Sequence, residues 1–266
     1  MSSTDHNLMK AFLINLERSK NRKKFMIRQL EELQISYEIV EGIDGSTLTD
    51  EYLSTVCDFE ELAKKPYLLR RGVYGCALSH LSVYKRIIEE NLECALVLED
   101  DVELSKDLPG IMHTISSLEL KNEVILLYSI NTYMKTIFST QNQQELGNGY
   151  TLNHPIDIHA LGGAGAYIIT NKAARGLLNN ILPIRFAADA WPHFYWNKMI
   201  DKVRVVLPYP TQPAGDQSEI DYIRKSKIFT YISRVEPIKS ILKVRRKMMA
   251  SKFLNYTLTQ EASKYY

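Results

Sequence analysis

The segment Ala95-Leu96-Val97-Leu98-Glu99-Asp100-Asp101-Val102 sets the terms for the rest of the chain. An apolar run passes directly into three carboxylates. A short run of this kind reads as a strand buried on both faces of a parallel sheet. In open α/β sheets, ligands bind beyond the carboxyl ends of such strands, which is where these charges fall. Three carboxylates packed together repel one another unless a cation holds them. Two readings follow. One is a divalent-metal site facing phosphate at the edge of a nucleotide-binding sheet. The other is a solvated loop start, or charges favoured by a helix N-terminus.

The remaining pattern alternates between strand and helix. Residues 11–16 read as a first buried strand, followed by a basic helix over 19–33 whose apolar face is Phe25, Leu30 and Leu33. Arg18, Lys20, Arg22, Lys23 and Lys24 crowd the start of that helix. Basic residues there oppose the helix dipole, so they either meet phosphate or form a solvated face. A second strand over 37–40 closes on Glu41-Gly42-Ile43-Asp44-Gly45, and a short helix follows over 46–52. Residues 57–69 have weak periodicity and read as irregular. Gly72 and Gly75 precede a helix over 76–91. Further helices are expected over 109–118, 172–178 and 189–199. Strands are expected over 123–129, over 203–207 and after the glycine-rich Gly162-Gly163-Ala164-Gly165. Residues 131–155, rich in Gln, Asn and Gly, read as a loop or weak hairpin suited to a binding loop or lid. This order points to an α/β fold with a mostly parallel sheet.

Composition narrows the function classes. A hydrophobic fraction of 45% and a charged fraction of 24% over 266 residues are those of an ordinary globular protein. No apolar stretch approaches the roughly 20 residues of a membrane-spanning helix, and the N-terminus lacks a signal-peptide core. Cys57, Cys76 and Cys94 are odd in number, show no metal-like spacing and fit reduced thiols, so a cytoplasmic location is expected.

The net charge of +2 hides an asymmetry. Residues 231–266 carry eight basic and two acidic side chains, or +6, which leaves 2 − 6 = −4 for the body. Such a body does not suit a polyanion, and no nucleic-acid motif is present. The chain is therefore expected to divide into a main domain, 1–230, and a basic tail, 231–266. In the tail, Ile238, Ile241, Leu242, Met248 and Met249 share one helical face, and Lys239, Lys243, Arg246 and Lys247 line another. A basic amphipathic helix of this kind either lies in an anionic membrane interface or packs on the body.

Several blocks, in order, resemble glycosyltransferase family 25, the lipooligosaccharide-biosynthesis transferases related to the collagen galactosyltransferases. They are Phe12-Leu13-Ile14-Asn15-Leu16-Glu17-Arg18-Ser19-Lys20-Asn21-Arg22, Glu41 to Gly45, Gly72-Val73-Tyr74-Gly75-Cys76-Ala77-Leu78-Ser79-His80, and Leu98-Glu99-Asp100-Asp101. The likeness is clearest over 11–103, looser over 163–178 and weak from 195 onward. It implies a GT-A-like, Rossmann-type sheet with a smaller acceptor-facing region. It also implies a UDP-sugar donor, most often UDP-galactose, and a lipid-linked oligosaccharide acceptor at the cytoplasmic face of the inner membrane.

Site expectations follow from that chemistry. A leaving nucleoside diphosphate is stabilised by a divalent cation, and Mn²⁺ or Mg²⁺ favours carboxylate ligands. Glu99-Asp100-Asp101 is a variant of an Asp-x-Asp motif. Asp101 is expected to ligate directly, with Glu99 beside it in an extended segment and Asp100 on the opposite side, where it ligates or binds the ribose or sugar. Asn15, Leu16, Arg18 and Arg22 are candidates for the base and diphosphate, since arginine forks match phosphate. Asp44 is a candidate for the nucleoside. Ser79 and His80 belong to a family block, with a structural role as the alternative. Asp189, in Phe186-Ala187-Ala188-Asp189-Ala190-Trp191-Pro192, is the candidate base in an inverting transfer. Its alternative is a helix N-cap, and Asp157 and Glu219 are fallbacks. His159 and His193 are candidates for a late metal contact or for structure. The alternatives are a UDP-N-acetylhexosamine donor on the same scaffold, a non-catalytic binding module, and a nucleotidyltransferase, which also uses paired carboxylates but depends on a nucleoside triphosphate.

Overall fold

The computed structural model describes residues 9–130, 136–215 and 256–258. In chain order the elements are β1 (Ala11–Asn15), α1 (Lys20–Glu32), β2 (Tyr37–Glu41), α2 (Asp50–Val56), α3 (Phe59–Ala63), α4 (Arg71–Glu89), β3 (Cys94–Glu99), β4 (Val102–Leu104), α5 (Leu108–Ser116), β5 (Glu123–Leu126), β6 (Ile137–Gly147), β7 (Tyr150–Pro155), β8 (Ala166–Thr170), α6 (Asn171–Asn180), α7 (Trp191–Trp196), β9 (Lys202–Leu207), β10 (Thr211–Pro213) and β11 (Tyr256–Leu258). Nine strands form one sheet in the order β11-β6-β7-β9-β5-β8-β3-β1-β2, and β10 pairs with β4 in a small second sheet.

The fold is α/β, as the strand–helix alternation implies. β1 runs parallel to β2 and to β3, and β5 parallel to β9. β8 lies antiparallel between β3 and β5, and β7 and β11 are also reversed. The other six strands of the sheet share one direction. Side chains alternate between the faces with the period of two that a pleat imposes. Phe12, Ile14, Ala95 and Val97 join a core with α4, α6 and α7. Ala11, Leu13, Leu96 and Leu98 join a core with α1 and α5. Both faces are thus covered by helices, which is why β1, β3, β5 and β8 are largely apolar between their polar ends.

Two segments differ from the sequence expectation, and a third takes one of the two forms left open. Residues 57–69 contain α3 and a 3₁₀ turn, Pro66–Leu68, rather than irregular chain. The polar stretch after residue 135 takes the second of its two expected forms. It is the hairpin β6–β7, which extends the main sheet and exposes its Gln- and Asn-rich middle. Helix α4 begins at Arg71, so Gly72 and Gly75 lie inside its first turns rather than before it. The tail helix expected within 231–266 and Glu219 lie outside the described residues.

Candidate functional site

The carboxyl ends of β1, β2 and β3 and the first turns of α4 enclose a cleft of about 640 Å³, open to solvent. Leu16, Arg18, Arg22, Asp44, Ser79, His80, Glu99, Asp100 and Asp101 all line it. Asn15 is buried beneath it and donates from Nδ2 to Asp100 Oδ2 at 2.5 Å and to the Ser19 carbonyl at 3.2 Å. The sheet topology therefore gathers nearly all the candidates from four separate blocks of the resemblance.

Details of the carboxylate run differ from an extended segment. β3 ends at Glu99, and the chain turns at Asp100 and Asp101. Asp100 is consequently not opposed to Asp101. One Arg22 nitrogen, Nη2, meets Asp100 Oδ1 at 2.7 Å and Asp101 Oδ2 at 2.8 Å. The Asp101 backbone is pinned in turn, its carbonyl accepting from the Ala214 amide at 2.8 Å. Arg18 forms an ion pair with Asp44, whose other oxygen accepts from the Ser46 amide at 2.9 Å and caps a short 3₁₀ turn.

Glu99 turns inward. Its Oε1 lies 3.1 Å from His80 Nε2 and 3.7 Å from Cys76 Sγ. Burial alone would raise the Glu99 pKa, but the His80 hydrogen bond and charge outweigh it and hold the carboxyl below its ordinary value. Asp101 shows the opposite balance. Burial and the nearby Glu99 charge push it up to about 6, against the pull of Arg22. Two carboxylates in mutual repulsion within a partly dehydrated cleft form a donor set that suits a hard divalent cation, so Glu99 and Asp101 fit the expected Mn²⁺ or Mg²⁺.

Ser79 is committed elsewhere. Its hydroxyl accepts from the Ile43 amide at 2.8 Å and donates to the Gly75 carbonyl at 2.7 Å, tying α4 to the loop after β2. Its contribution visible here is to hold the cleft wall. His80 is fixed from behind, with Nδ1 at 2.7 Å from the Tyr167 hydroxyl, itself 3.0 Å from the Tyr84 hydroxyl.

Asp189 approaches the same region from the start of α7, which packs on the α4 face of the sheet. Its Oδ2 accepts from the Gly163 amide at 2.8 Å. The N-cap of α7 is Ala190 and has no side-chain cap bond, so Asp189 is not a helix cap. Burial and the Glu99 charge raise its pKa, which places it in electrostatic reach of the carboxylate run. Trp191 Nε1 donates to the Gly163 carbonyl at 2.9 Å, so Gly163 is gripped on both sides. Its φ of +91° lies in the left-handed region that glycine alone adopts freely.

Tyr128 was missed in the sequence. It is buried beside Gly165, and the charges of Glu99, Asp101 and Asp189 all act on it, after burial, to raise its pKa well above the ordinary value. Its signal was Gly165, where a side chain would overlap the Tyr128 hydroxyl.

The other candidates fall elsewhere. Asp157 caps a 3₁₀ turn through the His159 amide at 3.1 Å. His159 packs against Trp196 at 4.2 Å with the rings tilted by 53°, and His193 stacks on Phe186 at 4.4 Å with Lys65 Nζ 3.0 Å from its Nε2. Neither histidine joins the carboxylates. Both belong to an aromatic cluster built around α7.

The sequence profile of glycosyltransferase family 25 (LPS biosynthesis protein) matches residues 9–191. The chain belongs to glycosyltransferase family 25. Procollagen galactosyltransferase 2 is 39% identical in Mus musculus and 30% identical in Homo sapiens, each over 82% of this chain and 37% of the relative. The chain thus spans a little over a third of these relatives. An inactive glycosyltransferase 25 family member 3 of Mus musculus is 26% identical over 77% of this chain and 37% of its own length. A solved glucose-1-phosphate thymidylyltransferase from Bacillus anthracis superposes with a TM-score of 0.43 and 11% identity, over 79% of this chain and 91% of that one. Among the described residues, no helix is long and apolar enough to cross a membrane.

Proposed function

We propose that this chain transfers a hexosyl group, most often galactose from UDP-galactose, to a hydroxyl of an oligosaccharide, with inversion at the anomeric carbon. The observation that carries this reading is the convergence of Arg18, Arg22, Asp44 and the 99–101 carboxylates on one cleft at the carboxyl edge of the sheet.

In this reading Arg18 and Arg22 bind the diphosphate, and Asp44 with Leu16 borders the nucleoside. Glu99 and Asp101 would hold Mn²⁺ or Mg²⁺, which supplies charge neutralisation for the departing diphosphate. Arg22 already spans Asp100 and Asp101, so donor binding would draw it between carboxylate and phosphate. The acceptor oxygen attacks the anomeric carbon as the bond to the β-phosphate oxygen breaks, and the diphosphate leaves with the bonding pair. Asp189 takes the acceptor hydroxyl proton. Its pKa, raised by burial and by Glu99, strengthens it as a base. The aromatic cluster that follows it, with Trp196 exposed, offers stacking surface for an acceptor sugar. A lipid-linked acceptor and membrane association through the tail belong to the same proposal.

The second reading is a binding module without turnover, favoured by the relative that is named inactive. UDP release from a panel of UDP-sugars, with and without Mn²⁺, separates the two. Metal-dependent release from one donor supports transfer. UDP binding with no release, even with oligosaccharide acceptors, supports the module.

A further inference from the structure

We propose a thiophilic cation site at the floor of the cleft, formed by Cys76 Sγ, His80 Nε2 and Glu99 Oε1, that takes a borderline metal of the Zn²⁺ class. These three donor atoms all lie within 4.8 Å of one another. The site does not depend on which sugar donor the cleft accepts.

The local sequence preorganises two of the donors. Cys76 and His80 are four residues apart on α4, so they share one helix face. Glu99, the last residue of β3, arrives opposite them. The spacing then matches coordination. Tetrahedral Zn²⁺ with bonds of about 2.1 Å to N and O and 2.3 Å to S puts N and O about 3.4 Å apart, and S and O about 3.6 Å apart. His80 Nε2 lies 3.1 Å from Glu99 Oε1, and Cys76 Sγ lies 3.7 Å from it. The third edge, Cys76 Sγ to His80 Nε2, lies within 4.8 Å and closes by up to about 1.2 Å when a cation draws the three donors together.

The support behind the donors is also that of a metal site. A ligating histidine usually has its other ring nitrogen held by a hydrogen-bond partner, which fixes ring orientation and tautomer. His80 Nδ1 is held by the Tyr167 hydroxyl at 2.7 Å, and the rings of His80 and Tyr167 stack at 5.7 Å. Burial, and then the charges of Glu99, Asp189 and Asp101, raise the Cys76 thiol well above its ordinary value, and that same negative charge attracts a cation. All three donor residues line the cleft, so a fourth position is left to water or to an oxygen of the cleft's occupant. Three protein donors and one open position is the pattern of reactive rather than purely structural zinc sites.

Glu99 is common to this site and to the one proposed with Asp101, and the other donors decide which cation each takes. Thiolate and imidazole select Zn²⁺ or Co²⁺, whereas Mg²⁺ and Mn²⁺ prefer oxygen. On binding, the Cys76 thiol releases its proton to solvent, so affinity rises with pH.

The test uses the full-length, untagged chain stripped of metal by chelator and titrated with Co²⁺. The expected result is a near-ultraviolet thiolate-to-Co²⁺ charge-transfer band saturating at one equivalent, displaced by Zn²⁺. Cys76→Ser should abolish the band and weaken Zn²⁺ binding by about tenfold or more. Cys57 and Cys94 remain in that variant as internal controls. The wild-type titration needs no variant to fold. Absence of the band at saturating Co²⁺, or its persistence in Cys76→Ser, overturns the proposal and leaves the cluster as a hydrogen-bonded ion pair.

Discussion

Gly75 in the first turns of α4 lies against Gly45 after β2 so closely that a Cβ on Gly75 would stand 2.6 Å from the Gly45 amide nitrogen. The Ile43 carbonyl would be closer still. Two glycine-bearing blocks that are far apart in sequence are therefore the two sides of one contact. That contact draws the loop after β2 onto the helix and closes one wall of the cleft, with the Ser79 hydroxyl bridging the same seam. A glycine inside a helix normally costs about 1 kcal/mol relative to alanine. Here the close approach requires it.

Gly75→Ala should therefore destabilise the fold rather than improve its helix. The overlap is with backbone, so the loop must shift, at a cost on the order of 1–3 kcal/mol. Urea denaturation should show a lower midpoint, and UDP affinity should fall with it. A variant as stable as the parent would mean that the two elements are not in contact.

Asp101 gives the metal-free protein a defined pH response. Its folded-state pKa is raised to about 6 from an ordinary 3.8. The folded chain keeps this proton where the unfolded chain has released it. The contribution to stability is thus full below about 4 and is lost as pH rises through about 6. With chelator present, the loss should be on the order of 2 kcal/mol, and Asp101→Asn should flatten it. Denaturant midpoints across that pH window measure this directly, and an unchanged profile in Asp101→Asn would refute the assignment.

Asp189→Asn should leave donor binding intact and depress turnover. An asparagine oxygen can still accept the Gly163 amide, so the fold is kept. Loss of a general base costs on the order of 10²–10⁴ in kcat. Steady-state kinetics should show that loss with little change in donor KM. Full activity in this variant would move the base elsewhere.

Glu123 and Arg204 pair at 2.6 Å where β5 and β9 run side by side, with both side chains almost fully buried. Removing one partner leaves an uncompensated buried charge. Glu123→Ala should cost on the order of 3–5 kcal/mol. Thermal or urea melts would register it, while UDP affinity at the remote cleft should be spared in the protein that remains folded.

The parts of this protein that were legible in its sequence are those written in contiguous residues. The apolar run ending in Glu99-Asp100-Asp101 announced both a buried strand and its functional edge. The strand–helix alternation gave the class of fold. What escaped depended on distant partners. The reversal of β8 between β3 and β5 is set by pairing across the sheet, and nothing within Ala166–Thr170 encodes its direction. The β6–β7 hairpin carries a polar middle because that portion is exposed, so its sequence does not separate a hairpin from a loop. For Asp189 the sequence left a helix cap open beside the role of base, because its partner, the Gly163 amide, lies 26 residues away. Cys76 and His80 did carry a legible signal, a four-residue helical spacing. It was obscured by considering cysteine spacings only among themselves.

The central claim is that the cleft between β1, β2, β3 and α4 binds a nucleoside diphosphate with help from Asp101. Calorimetric titration of UDP into the wild type and Asp101→Ala, with and without Mn²⁺, tests it most directly. One UDP should bind the wild type, and Mn²⁺ should tighten it on the order of tenfold, a coupling within the usual range for linked ligands. Asp101→Ala should lose that enhancement. Failure of the wild type to bind UDP, or Mn²⁺ enhancement that survives in Asp101→Ala, would contradict the account.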